Sequence, residues 1–343
     1  MSDDIARTND TATLAKFSAV SLKYYEDPFI QFFARQSLSE QDHADEGFSP
    51  RTRKGDGPLS PRAMSPLINR GHYARVSIVR ACLKEFICKK GGKQVISFGA
   101  GYDTSYFYLK SIGIECEKYV EIDVPEVIQK KASVIMKYRA KQFEKYLPEL
   151  KYHQERGIMS KHYYTLPADL RSPDAVFECL LQDFGLEKHA PTLFLSECVL
   201  IYMEAEEGDR LVSRIPELFS RAYFVLYEQI RPNDRFGRMM VKNIEILGCP
   251  LRSLHIYASL EDLIDRFKKN GWKEVRAEDM NTVYEEVIVA NEDERRRIQK
   301  LEILDELEEW VMMNQHYCLV IASCVSEDDT AILFEELKKW VGS

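Results

Sequence analysis

The sequence predicts a doubly wound, mostly parallel α/β fold. Short apolar runs alternate with helix-spaced segments, a glycine turn closes the first run, and an acid closes the second. Runs at 94–98, 118–122, 162–166, 192–196, 222–228, 272–276 and 317–323 supply seven strands. Segments such as 125–147, 205–219 and 259–270 repeat apolar residues at helical intervals between them. With 343 residues and 45% hydrophobic content, the chain can bury the core of one large domain spanning 1–343.

Ahead of the first strand, residues 10–92 read as a helical cover. Its first piece, 10–35, ends near Gln36, and helical spacing returns over 69–89. Between them, 37–66 is rich in Ser, Pro, Gly, Asp and Arg, with Ser-Pro steps at 49, 60 and 65, which predicts a mobile, solvated loop. Residues 93–230 read as the cofactor-binding core. Residues 231–258 interrupt the alternation after a strand, where an open α/β sheet places its ligand crevice, and so read as a substrate lid. The remainder, 259–343, completes the sheet; within it Ile298, Leu301, Leu304 and Leu307 mark 292–310 as a surface helix without chemistry.

The first two strands end in a nucleotide cradle. In KQVISFGAGYDT (93–104), Gly99 and Gly101 let the backbone approach a ligand that a Cβ would repel, and in YVEIDVP (119–125), Asp123 is placed to bind ribose hydroxyls. A dinucleotide fingerprint needs a third glycine where Thr104 stands, and the ring of Tyr102 and charge of Asp103 oppose a pyrophosphate. Both suit the ammonium and sulfonium of S-adenosylmethionine better. A glycine turn alone is equally a plain structural turn; the acid after the second strand favours the cofactor.

Other strand ends add polar groups: Asp169 with the Leu170 amide for an adenine edge, Glu197 beside a sulfonium or adenosine amine, and Glu228. Each alone could be a helix cap; their joint placement carries the argument. Arg70 and Arg75, five residues apart before the first strand, cannot share a helix face, so one can turn inward and grip a carboxylate bidentately. The alternative is a surface salt bridge.

A formal charge of -8 offers no broad basic field for nucleic acid or an anionic membrane surface. Eight cysteines without a CxxC pair, and an N-terminus lacking an apolar signal core, predict a reduced cytoplasmic or nuclear setting. No apolar run reaches membrane-spanning length, and the histidines lack metal-ligand spacing, so no metal is expected.

Read together, AVSLKYYEDPFI (19–30), INRGHYARV (68–76), SFGAGYDT (97–104), ADLR (168–171), PTLFLSECVLIYM (191–203), YEQIRPNDRFGRMM (227–240) and HYCLV (316–320) strongly resemble the leucine carboxyl methyltransferases, which methylate the C-terminal leucine of the protein phosphatase 2A catalytic subunit. The resemblance implies a class I S-adenosylmethionine-dependent methyltransferase, monomeric, with helical cover over a deep pocket and S-adenosylhomocysteine as product. It implies cofactor roles for Lys16, Arg75, Gly99, Gly101, Asp123, Asp169, Leu170 and Glu197, substrate contacts from Arg171 and Tyr202, and catalytic roles for Arg75 and Tyr202. A related branch methylates a wybutosine precursor in transfer RNA and usually carries a C-terminal β-propeller, which this chain is not expected to have; its acidic charge also disfavours RNA.

Overall fold

The computed structural model describes residues 2–44, 64–246, 248–325 and 334–341. Two helices, α1 (Ser2–Ser21) and α2 (Ile30–Ala44), precede the long α3 (Pro66–Lys89). Asp27 breaks the chain between the first two: its carboxylate accepts the Phe29 and Ile30 amides, each at 3.0 Å, and pairs with Arg80 of α3 at 2.6 Å. The Arg80 guanidinium also lies 3.7 Å from the Tyr108 ring centroid, so a buried charge is paired and covered rather than solvated.

The chain continues through β1 (Gln94–Phe98), α4 (Ser105–Ser111), β2 (Lys118–Asp123), α5 (Pro125–Lys137), β3 (Lys151–His153), β4 (Gly157–Met159), β5 (Tyr163–Pro167), α6 (Pro173–Gln182), β6 (Thr192–Glu197), α7 (Ala205–Leu218) and β7 (Ala222–Gln229). Then come α8 (Arg235–Ile246), α9 (Leu260–Lys269), β8 (Glu274–Asp279), α10 (Met280–Val283), α11 (Glu292–Gln299), α12 (Leu307–Gln315) and β9 (Tyr317–Ser323). The strands form one sheet in the order β3-β4-β5-β2-β1-β6-β7-β9-β8. Pairing is parallel from β5 across to β7, while β9 inserts antiparallel between β7 and β8.

The central strands are buried on both faces because both faces are covered by helices. Alternate residues divide accordingly: Val95, Leu193, Leu195, Tyr223, Val225 and Leu319 enter one core, and Ile96, Phe98, Phe194, Phe224 and Val320 enter the other. The chain reverses its winding between β1 and β6, which opens a crevice beyond their carboxyl ends.

Several expectations need correction. The sheet has nine strands among the described residues rather than seven, because β3 and β4 add a short antiparallel edge. Three-residue strands show no readable alternation; β4 is held to the adjacent β5 by a side-chain bond in which the Ile158 amide donates to Thr165 Oγ1 at 2.8 Å. The sixth predicted strand, 272–276, lies instead at 274–279. The helix expected over 125–147 ends at Lys137 and gives way to a π turn, Arg139–Phe143. The predicted single surface helix over 292–310 is two helices separated by a non-helical stretch: Ile298 is wholly buried while Leu307 is 61% exposed. Asn69 of α3 ties down this stretch by donating to Glu302 at 3.0 Å, a contact no helical stripe reveals. Of the expected loop 37–66, the start to Ala44 is helical and α3 begins at Pro66; residues 45–63, with two of the three Ser-Pro steps, lie outside the described residues.

Candidate active site

At the carboxyl ends of β1, β2, β6 and β7 lies a cleft of about 470 Å³. Every residue to which the family resemblance gave a site role lines it: Lys16, Arg75, Gly99, Gly101, Asp123, Asp169, Leu170, Arg171, Glu197 and Tyr202. They arrive from α1, α3 and the ends of four strands, so only the closed fold makes them neighbours.

The glycine turn follows β1 with left-handed backbone at Gly99 (φ +54°) and Gly101 (φ +51°). A Cβ on Gly99 would stand 2.5 Å from Val199 Cγ2, so that position requires glycine for space as well as for conformation, while Gly101, packed against Asn9 Oδ1, requires it for conformation. Asn9 of α1 also accepts the Tyr102 amide at 2.9 Å, pinning the cover to the turn. Asp123 accepts the Gly101 amide through one oxygen and the Val124 amide through the other, each at 2.7 Å. Burial pushes its carboxyl above the usual value, and these two amides pull it back.

Asp103 is already paired. Lys16 approaches it at 3.5 Å and the Ser105 amide donates at 2.9 Å. Burial would raise its carboxyl, but Lys16 and Lys131 outweigh that and hold it at about 2. Lys131 also donates to the Asp103 carbonyl at 2.7 Å while ion-paired to the fully buried Glu121, whose other support is the Tyr163 hydroxyl at 2.7 Å. The acidic turn therefore rests on a buried cation.

Across the cleft, Arg75 donates through Nε to Glu197 Oε2 at 2.7 Å and through Nη2 to the Glu197 carbonyl at 3.4 Å, with its guanidinium 5.1 Å from the Tyr227 centroid. Arg75 is thus the arginine that turns inward; Arg70 is buried elsewhere, 5.8 Å from the Trp310 centroid. One turn before Arg75, His72 also lines the cleft; burial, then Arg75 and Lys16, drive its imidazole down to about 3, so it is neutral. Arg171 forks onto Asp169 at 2.5–3.0 Å, so both occupy one exposed end of the cleft.

After Glu197 the chain turns left-handed at Cys198 (φ +55°), an uncommon conformation for a residue with a Cβ, and its amide donates to the Tyr227 carbonyl at 2.7 Å. The following short turn, Leu200–Tyr202, is anchored by Glu228, which accepts the Ile201 amide at 2.8 Å. Glu228 thus supports the cleft from below and does not line it. Tyr202 lines the cleft together with Ile244 and Cys249 of the 231–258 segment and Tyr317 of β9. Sequence reasoning missed Asn9, His72, Gln229 and Tyr317 as cleft residues; the last two had a readable signal, since both sit at ends of predicted strands.

The bare glycine backbone beside the Asp123 carboxylate, and a cleft carrying charges of both signs, suit S-adenosylmethionine: an adenosine with a sulfonium, an ammonium and a carboxylate. Among the described residues no group of His, Cys, Asp and Glu could hold a metal ion, and no helix is long and apolar enough to cross a membrane.

Comparison with known proteins agrees with this geometry. A family profile described as leucine carboxyl methyltransferase matches residues 7–216. The chain is 34% identical over 321 residues to "Leucine carboxyl methyltransferase 1 homolog" of Arabidopsis thaliana, covering 93% of this chain and 88% of the relative. It is also 34% identical to "tRNA wybutosine-synthesizing protein 4" of Homo sapiens, where 93% of this chain matches only 44% of that protein. A crystal structure of a DUF574-family protein from Streptomyces avermitilis superposes with a TM-score of 0.52 at 12% identity, covering 90% of this chain and 96% of that one, which shows a shared fold alone. The profile match and the relative aligned along nearly the whole length make the chain a member of the leucine carboxyl methyltransferase family, and hence an S-adenosylmethionine-dependent carboxyl methyltransferase.

Proposed function

We propose that this enzyme esterifies the α-carboxylate of the C-terminal leucine of the protein phosphatase 2A catalytic subunit and thereby regulates phosphatase assembly. The observation that carries this reading is one cleft holding both a nearly buried arginine fork, Arg75, and an apolar wall including Ile244 and Cys249. The first suits a carboxylate and the second an aliphatic side chain.

The cofactor supplies an electrophilic methyl on sulfonium. An α-carboxyl with a pKa of about 3.5 is already ionised at neutral pH, so no general base is needed. The carboxylate oxygen forms a bond to the methyl carbon as the carbon–sulfur bond breaks, leaving a methyl ester and S-adenosylhomocysteine with no proton moved. The protein's work is then positioning and exclusion of water. With Nε and Nη2 of Arg75 engaged by Glu197, Nη1 has no partner among the described residues. An N–H of Nη1 on one carboxylate oxygen orients the group yet leaves the other oxygen's lone pair to attack. Glu197 holds the guanidinium plane fixed, and Asp123 and the glycine turn hold the adenosine end in this reading.

The test is transfer of labelled methyl to the purified phosphatase core enzyme, with transfer RNA as a parallel acceptor. The expected label is alkali-labile, confined to the catalytic subunit, and abolished by amidating its C-terminus or replacing the terminal leucine with aspartate. A second reading, carboxyl methylation of a modified transfer RNA base, draws support from the equal identity to the human wybutosine-synthesizing protein. The net charge of -8 weighs against it. Label on RNA and not on the phosphatase would overturn the protein reading in its favour.

A further inference from the structure

We propose that Gln229 reads the acceptor's backbone: its side-chain carbonyl accepts the N–H of the C-terminal residue whose carboxylate is methylated. This deepens the reading above and rests on a carboxyl-terminal acceptor. Gln229 ends β7, is only 5% exposed, and lines the cleft. It pairs in register with Tyr317, the first residue of β9. The Tyr317 phenol, which burial pushes up to about 12, belongs to that paired residue. The side-chain carbonyl oxygen of Gln229, Oε1, is buried with no partner among the described residues.

A buried carbonyl without a donor costs about as much as a lost hydrogen bond, and such groups in native proteins call for an explanation. A ligand donor supplies one here. The reacting carboxylate has no proton to give, and among the described residues no protein donor reaches Oε1. In a peptide acceptor the amide nitrogen and the carboxylate carbon hang from one Cα, so a carboxylate held at Arg75 brings a single N–H to its own side of the cleft. A buried acceptor that needs this N–H discriminates more sharply than an apolar wall, because an acceptor lacking it leaves the carbonyl unpaired. Gln229 would thereby distinguish a peptide terminus from other carboxylates of similar size.

The experiment compares two semisynthetic phosphatase catalytic subunits, identical except that the terminal residue is joined through an amide or through an ester that lacks the N–H. Wild type should lose about tenfold in kcat/KM on the ester-linked acceptor, the scale of one hydrogen bond. Gln229→Met, of similar volume, should be about tenfold slower on the amide and indifferent between the two, with S-adenosylhomocysteine affinity unchanged. Equal turnover of both acceptors by wild type overturns the proposal without recourse to any variant. A Gln229→Met protein that binds S-adenosylhomocysteine tenfold more weakly also overturns it, by assigning the carbonyl to the cofactor's ammonium. If wild type labels neither acceptor, the phosphatase reading falls and the Gln229 role with it; if it labels both alike, only the Gln229 role falls.

Discussion

Replacing Asp123 with asparagine separates two duties of one carboxylate. In the folded protein its two oxygens accept the Gly101 and Val124 amides, each at 2.7 Å, and the same oxygens are the proposed acceptors for the ribose hydroxyls. Asparagine offers one oxygen and one NH₂, so one backbone N–H is left facing another donor, and the ribose meets a neutral partner. A hydrogen bond to a charged group contributes about 1.5–3 kcal/mol. The cofactor-free protein should therefore lose stability, at the lower end of that range, because burial already disfavours the Asp123 charge and the neutral amide escapes that cost. Affinity for S-adenosylhomocysteine should fall by a further 1.5–3 kcal/mol, about 10- to 150-fold. Urea unfolding of the cofactor-free protein measures the first effect, and titration calorimetry on the folded variant measures the second. A folded variant that binds within twofold of wild type would remove Asp123 from the cofactor site.

Two further outcomes follow from the geometry. Arg75→Lys keeps the charge but cannot hold the Glu197 side chain, its carbonyl and an acceptor carboxylate at once, so single-turnover methyl transfer should slow by about a hundredfold, the scale of a misplaced reacting group, while the fold persists. Wild-type turnover in the lysine variant would reduce Arg75 to a point charge. Burial raises Glu228 from 4.5 to about 7, so in the folded state it holds a proton that the unfolded chain has released; the resulting stability is present below about 4.5 and is lost as pH rises through about 7. Glu228→Gln should flatten that part of the stability-versus-pH curve in urea unfolding, and an unchanged slope would show that Glu228 is ionised throughout.

Much of the fold was legible because a parallel sheet covered on both faces writes its strands as continuous apolar runs, and the glycine turn and Asp123 are local in sequence and strand-terminal in space. The family motifs at NRGHYARV and SECVLIYM likewise carried the inward-facing Arg75 and strand-end Glu197 in short, unambiguous stretches. Other features could not be read locally. The edge strands β3 and β4 are three residues each, too short to show alternation, and the 292–310 region breaks where Asn69, more than two hundred residues earlier, claims Glu302. Sequence alone determined the central strands of the sheet, the glycine turn after the first of them and the chemical types gathered at their carboxyl ends, because each follows from periodicity or from a residue's own conformational range. Tertiary structure alone decided that Asp103 is neutralised by Lys16 and Lys131, that Asn9 closes over Gly101, and that the Gln229 carbonyl is left without a donor, because pairing and burial are properties of distance and not of spacing along the chain.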